Sequence, residues 1–138
     1  MIIKAFNEEE TVQAGVRLGA ELQSGVFIAL YGDLGAGKTA FVRGLAKGLG
    51  SEALVSSPTF NLMHEYPGGR LPLYHFDLYR IKGEEIYSLG FDEYFEAPGC
   101  VCAVEWCERL DESALPPERM EVRIKKADGA RIIEISSF

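Results

Sequence analysis

The stretch from Val26 to Leu49, VFIALYGDLGAGKTAFVRGLAKGL, restricts the possible folds of this chain more than any other. Val26 to Leu30 form an apolar run of strand length, a turn with three glycines follows, and the segment after it has helical periodicity. Gly32, Gly37, Lys38 and Thr39 satisfy G-x-x-x-x-G-K-[ST], with Gly35 inside the loop. Glycines accept positive φ and let backbone N–H groups approach anionic oxygens that a side chain would hold off. The helix that follows adds its positive end, Lys38 can reach outer phosphates as a point charge, and the Thr39 hydroxyl can ligate a magnesium ion. Phe41, Val42, Leu45, Ala46 and Leu49 share one helical face, Arg43 and Lys47 point outward, and Gly50 stops the helix. The competing reading is a strand-to-helix turn whose glycines serve geometry alone. The flanking strand and amphipathic helix favour a triphosphate cradle built from Gly32, Asp33, Leu34, Gly35, Ala36, Gly37, Lys38, Thr39 and Ala40. Lys38 is expected on an exposed loop, outside the apolar core.

A chain of 138 residues has room for one such domain, 1–138, and not for a separate substrate domain. Fourteen basic against 21 acidic residues give −7, so the average surface field repels free nucleic acid. The start, MIIKAFNEEE, turns polar at once, and no apolar run reaches membrane-spanning length; a soluble, cytoplasmic protein is expected. Cys100, Cys102 and Cys107 lack the paired spacing of a structural zinc site and read as buried, reduced residues.

Elsewhere, Ile2 to Phe6 reads as a strand, and Val12, Val16, Leu18 and Leu22 trace a helical face closed by Ser24-Gly25. SSPTFNLMHEY and LPLYHFDLYR are extended runs joined by a turn at Pro67, Gly68 and Gly69, with Ser57 held extended by the proline after it. KGEEIYSLG and FDEYFEA suggest short helices, VCAVEW a buried strand, and the last segment two strands about Asp128-Gly129. Crossover units call for parallel pairing and hairpins for antiparallel pairing. The expected fold class is α/β, a P-loop NTPase domain with a mixed central sheet flanked by helices.

A phosphate loop needs acidic help to hold metal and position water. Glu105 closes an apolar interior strand, where ligands of open α/β sheets sit, and a solvated strand-end carboxylate is its plainer reading. Asp77 closes LPLYHFD and shares a strand face with His75 and Tyr79; it can ligate metal, directly or through water, or pair with a cation such as Arg80. His64 and His75, lying among aromatics, read as hydrogen-bonded structural residues rather than proton carriers. Trp106 follows Glu105, so strand alternation sends its ring to the opposite face or out of the strand end, as packing. Thr59 could sense a γ-phosphate or be an ordinary strand threonine.

GDLGAGKT, VSSPTF, YHFDLYR, EEIYSLGFDEYF and VEW occur in this order over nearly the whole chain. The set resembles the TsaE (formerly YjeE) family of bacterial P-loop ATPases. The resemblance implies a small magnesium-dependent ATPase required for the threonylcarbamoyl modification of adenosine next to the anticodon, in tRNAs that read codons beginning with A. It implies action with TsaB and TsaD, with TsaC supplying threonylcarbamoyl-adenylate, and a mixed sheet with flanking helices. By position, Gly35 to Ala40 fall on the family's nucleotide loop, Lys38 on its phosphate lysine and Thr39 on its magnesium hydroxyl. Asp77 and Glu105 fall on acids with magnesium- or water-positioning roles, and Thr59 on the family's switch residue. Ala40 departs from the second threonine common there. Adenine-side contacts are expected near Thr11 or Arg131. Two other readings use the same loop: a small-molecule kinase, for which the chain lacks lid and acceptor segments, and a nucleotide-gated adaptor that binds partners and hydrolyses ATP only incidentally.

Overall fold

A computed structural model of the chain describes residues 1–33, 35–52, 63–79, 85–90, 92–95, 99–107, 110, 113 and 115–137. The expectations for Leu34, Ser57, Thr59 and Arg80 lie outside the described residues. The elements run β1 (Ile2–Ala5), α1 (Glu8–Glu21), β2 (Val26–Tyr31), α2 (Lys38–Gly48), β3 (Met63–Tyr66), β4 (Leu73–Asp77), α3 (Glu85–Ser88), α4 (Asp92–Phe95), β5 (Val101–Glu105), β6 (Met120–Ala127) and β7 (Ala130–Ser137).

Seven strands form one sheet in the order β1-β7-β6-β2-β5-β4-β3. The central four, β6, β2, β5 and β4, are parallel, and both ends are antiparallel. This is the expected mixed sheet. The hairpin through Pro67, Gly68 and Gly69 sets Tyr66 opposite Leu73, and the β6–β7 turn holds Asp128 and Gly129 at φ 49° and 77°. Two positive φ values in a two-residue turn match the right-handed twist of the flanking strands.

Strand alternation divides the core in two. Ile28 and Leu30 of β2 and Val101 and Ala103 of β5 pack under α1 and α2, while Phe27, Ala29, Cys102 and Val104 meet Ile86 of α3 and Phe95 of α4 on the other face. All five residues of β5 are buried, as an interior parallel strand requires. The three cysteines are buried and unbridged, and burial pushes the Cys102 thiol well above its ordinary pKa.

The buried face of α1 departs from the apolar trace of Val12, Val16, Leu18 and Leu22: it consists of Thr11, Val12, Ala14, Gly15, Leu18 and Gly19, while Val16 and Leu22 are half-buried. The reason lies in the contact with α2. A Cβ on Gly15 would collide with the Phe41 carbonyl, one on Gly44 with the Val12 carbonyl, and one on Gly48 with the Val16 carbonyl. The two helices therefore touch backbone to backbone, a contact that hydrophobic periodicity does not register. Helix propensity favours Gly44→Ala by about 1 kcal/mol. Overpacking against a carbonyl that cannot rotate away costs about 3 kcal/mol, so the collision wins. Gly44→Ala is accordingly expected to lower the urea midpoint by a net ~2 kcal/mol equivalent. An unchanged or raised midpoint would mean that the helices stand further apart.

Candidate functional site

Because β2, β5 and β4 run parallel, their last residues, Tyr31, Glu105 and Asp77, meet at one edge of the sheet. There the loop after β2 opens on a cavity of about 730 Å³, a size suited to a nucleotide-sized ligand. Its walls include Gly35, Gly37, Lys38, Thr39 and Ala40 of the loop, Asp77 and Glu105 at the strand ends, and Thr11 and Arg131 on the flanks. Gly32, Asp33 and Ala36 are not on its walls. They form the underside of the loop: a Cβ on Gly32 would stand 2.6 Å from the Ile124 carbonyl, Ala36 is buried, and its N–H donates to the Asp33 carbonyl at 3.0 Å. Gly35 and Gly37 adopt φ 78° and 115°, values that L side chains rarely take.

The helix starts differ in kind. At α1, the Asn7 side chain accepts the Glu10 N–H at 2.8 Å and three glutamates occupy the first turn. At α2, Gly37 supplies no side-chain cap and the first turn holds no acid. The positive end of α2 thus faces the cavity without an internal anion, an arrangement that attracts phosphate. Lys38 is buried rather than exposed: its Nζ donates to the Gly32 carbonyl at 2.5 Å and stands 3.5 Å from the centroid of the Trp106 ring. The expected exposed position is therefore corrected. Loop closure over the end of β2 turns the lysine inward, where its stem packs and its charge meets an aromatic face.

Opposite stand the acids. Asp77 and Glu105 are register partners on adjacent strands and lie on the α1–α2 face of the sheet. The Asp77 carboxylate accepts the Tyr79 N–H at 3.0 Å. Burial raises the Asp77 pKa and outweighs the lowering by that amide; Glu105 acts with burial, whereas His75 and Lys38 act against it. Glu105 is buried, with its Oε2 2.5 Å from Nε2 of the fully buried His75. Two carboxylates in partial burial are a setting that a divalent cation relieves. With the Thr39 hydroxyl they offer only hard oxygen donors, which fit magnesium. Among the described residues no group of three or more His, Cys, Asp or Glu could hold a metal by itself.

Three features add to the sequence reading. Trp106 packs against the cluster on the opposite sheet face, as expected, and at a φ of 64°, outside strand geometry, it lines the cavity as well. Its ring lies 4.9 Å from that of Tyr79. Arg43 does not simply point outward; it lines the cavity and pairs with Glu8 at 2.6 Å, tying α2 to α1. His75 is hydrogen-bonded, as expected, but its partner is Glu105. The only sequence signal for that contact is register: with β4 and β5 paired in parallel, His75 stands beside Ala103, and Glu105 is the next residue along β5 on the same face.

A family model described as "Threonylcarbamoyl adenosine biosynthesis protein TsaE" matches residues 5–133. The tRNA threonylcarbamoyladenosine biosynthesis protein TsaE of Bacillus subtilis is 47% identical over 124 residues, covering 90% of this chain and 77% of that one. The protein of the same description from a Nostoc species is 44% identical over 137 residues, covering 96% and 83%. The crystal structure of Bacillus subtilis YdiB superposes with a TM-score of 0.82 at 40% identity, covering 99% of this chain and 84% of that one.

Proposed function

The chain belongs to the TsaE family, and from that premise we propose that it is a magnesium-dependent ATPase serving threonylcarbamoyladenosine formation in tRNA. One observation carries the proposal: the α2 start, which has neither a side-chain cap nor a first-turn acid, faces a nucleotide-sized cavity whose far wall holds two carboxylates. The loop amides and Lys38 hold the β- and γ-phosphates, with Gly35 and Gly37 admitting the oxygens close to the backbone. Thr39, Asp77 and Glu105 would hold magnesium, which supplies charge neutralisation on the phosphates when bound. In hydrolysis, water oxygen bonds to the γ-phosphorus, the bond to the β–γ bridging oxygen breaks, and ADP and phosphate leave. Glu105 orients that water, and Thr11 and Arg131 flank the nucleoside end. TsaB- and TsaD-like proteins are the partners this reading assigns, with tRNA reached through their complex because a charge of −7 opposes direct capture.

Glu105→Ala tests the reading. Turnover with magnesium is expected to fall about 10- to 100-fold, while nucleotide binding without metal changes little, since the loop amides remain. Asp77→Ala is expected to show a smaller loss. Wild-type turnover in a folded Glu105→Ala protein would remove the carboxylate from the mechanism.

A further inference from the structure

His75 is fully buried, yet among the described residues Nδ1 has no hydrogen-bond partner. Through Nε2 it makes the 2.5 Å bond to Glu105 Oε2. The ring of Tyr66 lies 6.5 Å away, and the His64 ring bonds to the Tyr66 hydroxyl instead of to His75. For stability alone this is a poor choice of residue. A buried polar nitrogen without a partner costs about 1–3 kcal/mol, a cost that an apolar side chain on β4 would not carry. Leu73, two residues earlier on the same face, is such a side chain and is also fully buried.

Glu105 explains the exception. It ends β5, and beyond it the chain departs from strand geometry at Trp106, so the carboxylate is at a position where a long side chain has several rotamers to choose from. The Nε2–H bond fixes one carboxylate oxygen, and Glu105 itself lines the cavity. We propose that His75 is a positioning residue for Glu105, fixing the carboxylate in the orientation in which it meets metal and water. The inference rests on the hydrolytic role assigned to Glu105 above.

Two substitutions of similar polarity separate this role from simple packing. The amide nitrogen of His75→Gln extends to the place of Nε2 and can keep the bond to Glu105. The amide nitrogen of His75→Asn extends only to the place of Nδ1 and cannot reach it. His75→Asn is expected to lose about 10- to 100-fold in turnover, with metal-free ADP affinity within twofold of wild type; His75→Gln should recover most of that loss. A second readout needs no turnover: the rise in melting temperature that magnesium adds to ADP should shrink in His75→Asn and return in His75→Gln. In a Glu105→Gln background, His75→Asn should cause no further loss. Equal behaviour of the Asn and Gln variants, or additive losses in the double variant, would overturn the proposal. If Glu105→Gln itself hydrolyses as wild type, the hydrolytic role of Glu105 fails; if it is impaired while His75→Asn is not, only the positioning role fails. Should His75→Asn melt far below wild type, the Gln comparison and the metal-dependent shift on the folded fraction still decide the matter.

Discussion

Adding TsaB- and TsaD-like partners is expected to raise the ATP turnover of the purified chain by roughly 10³-fold or more, the range in which a cation supplied in trans completes a phosphate site. Among the described residues two arginines line the cavity, Arg43 and Arg131, and Arg43 is already paired with Glu8 at 2.6 Å. Arg80 and Arg109 lie outside the described residues. Among the described residues, the α2 start and Lys38 stand on one side of the cavity, and the opposite wall is acidic. Slow turnover alone, little change with tRNA, and strong stimulation by the partner pair at fixed salt are the expected results. Fast turnover alone, or strong stimulation by tRNA without the partners, would favour a self-sufficient enzyme.

Lys38→Met is expected to lower turnover by about 10²–10³-fold and to weaken ATP more than ADP, because it removes the one lysine on the cavity wall among the described residues. Methionine is the better probe than alanine. Lys38 is only 4% exposed and its stem lies in the shell beside Trp106, so alanine would remove packing along with charge. A thermal melt separates the two effects: Lys38→Met should melt near wild type and Lys38→Ala below it. Equilibrium ATP binding and turnover unchanged in folded Lys38→Met would refute the phosphate-cradle assignment.

Much of this architecture was legible in the residues. The strand–loop–helix unit, the two hairpins, the interior strand ending in Glu105 and the mixed sheet all follow from runs and turn chemistry that act locally. Asp77, Glu105, Lys38, Thr39, Thr11 and Arg131 do converge on one cavity. Four further features were beyond such reading. The α1–α2 contact depends on glycines, which hydrophobic periodicity scores as nothing. The place of Trp106 on the cavity wall, beside its packing on the opposite face, goes with one positive φ at a residue type with no preference for it. The His75–Glu105 bond depends on which strands become neighbours, a property of the assembled sheet. The burial of Lys38 depends on the loop folding back over the end of β2.

The placement of β1 also bears on when the protein acquires its activity. Among the described residues β1 pairs with β7 alone, and the cavity walls combine Ala5, Phe6, Asn7, Glu8 and Thr11 with Gly129 and Arg131. A chain emerging from the ribosome exposes the phosphate loop early, but β1 has no strand to join until β7 has been synthesised. The cavity is thus incomplete in the nascent chain and is completed in one late step, when β7 pairs with β1.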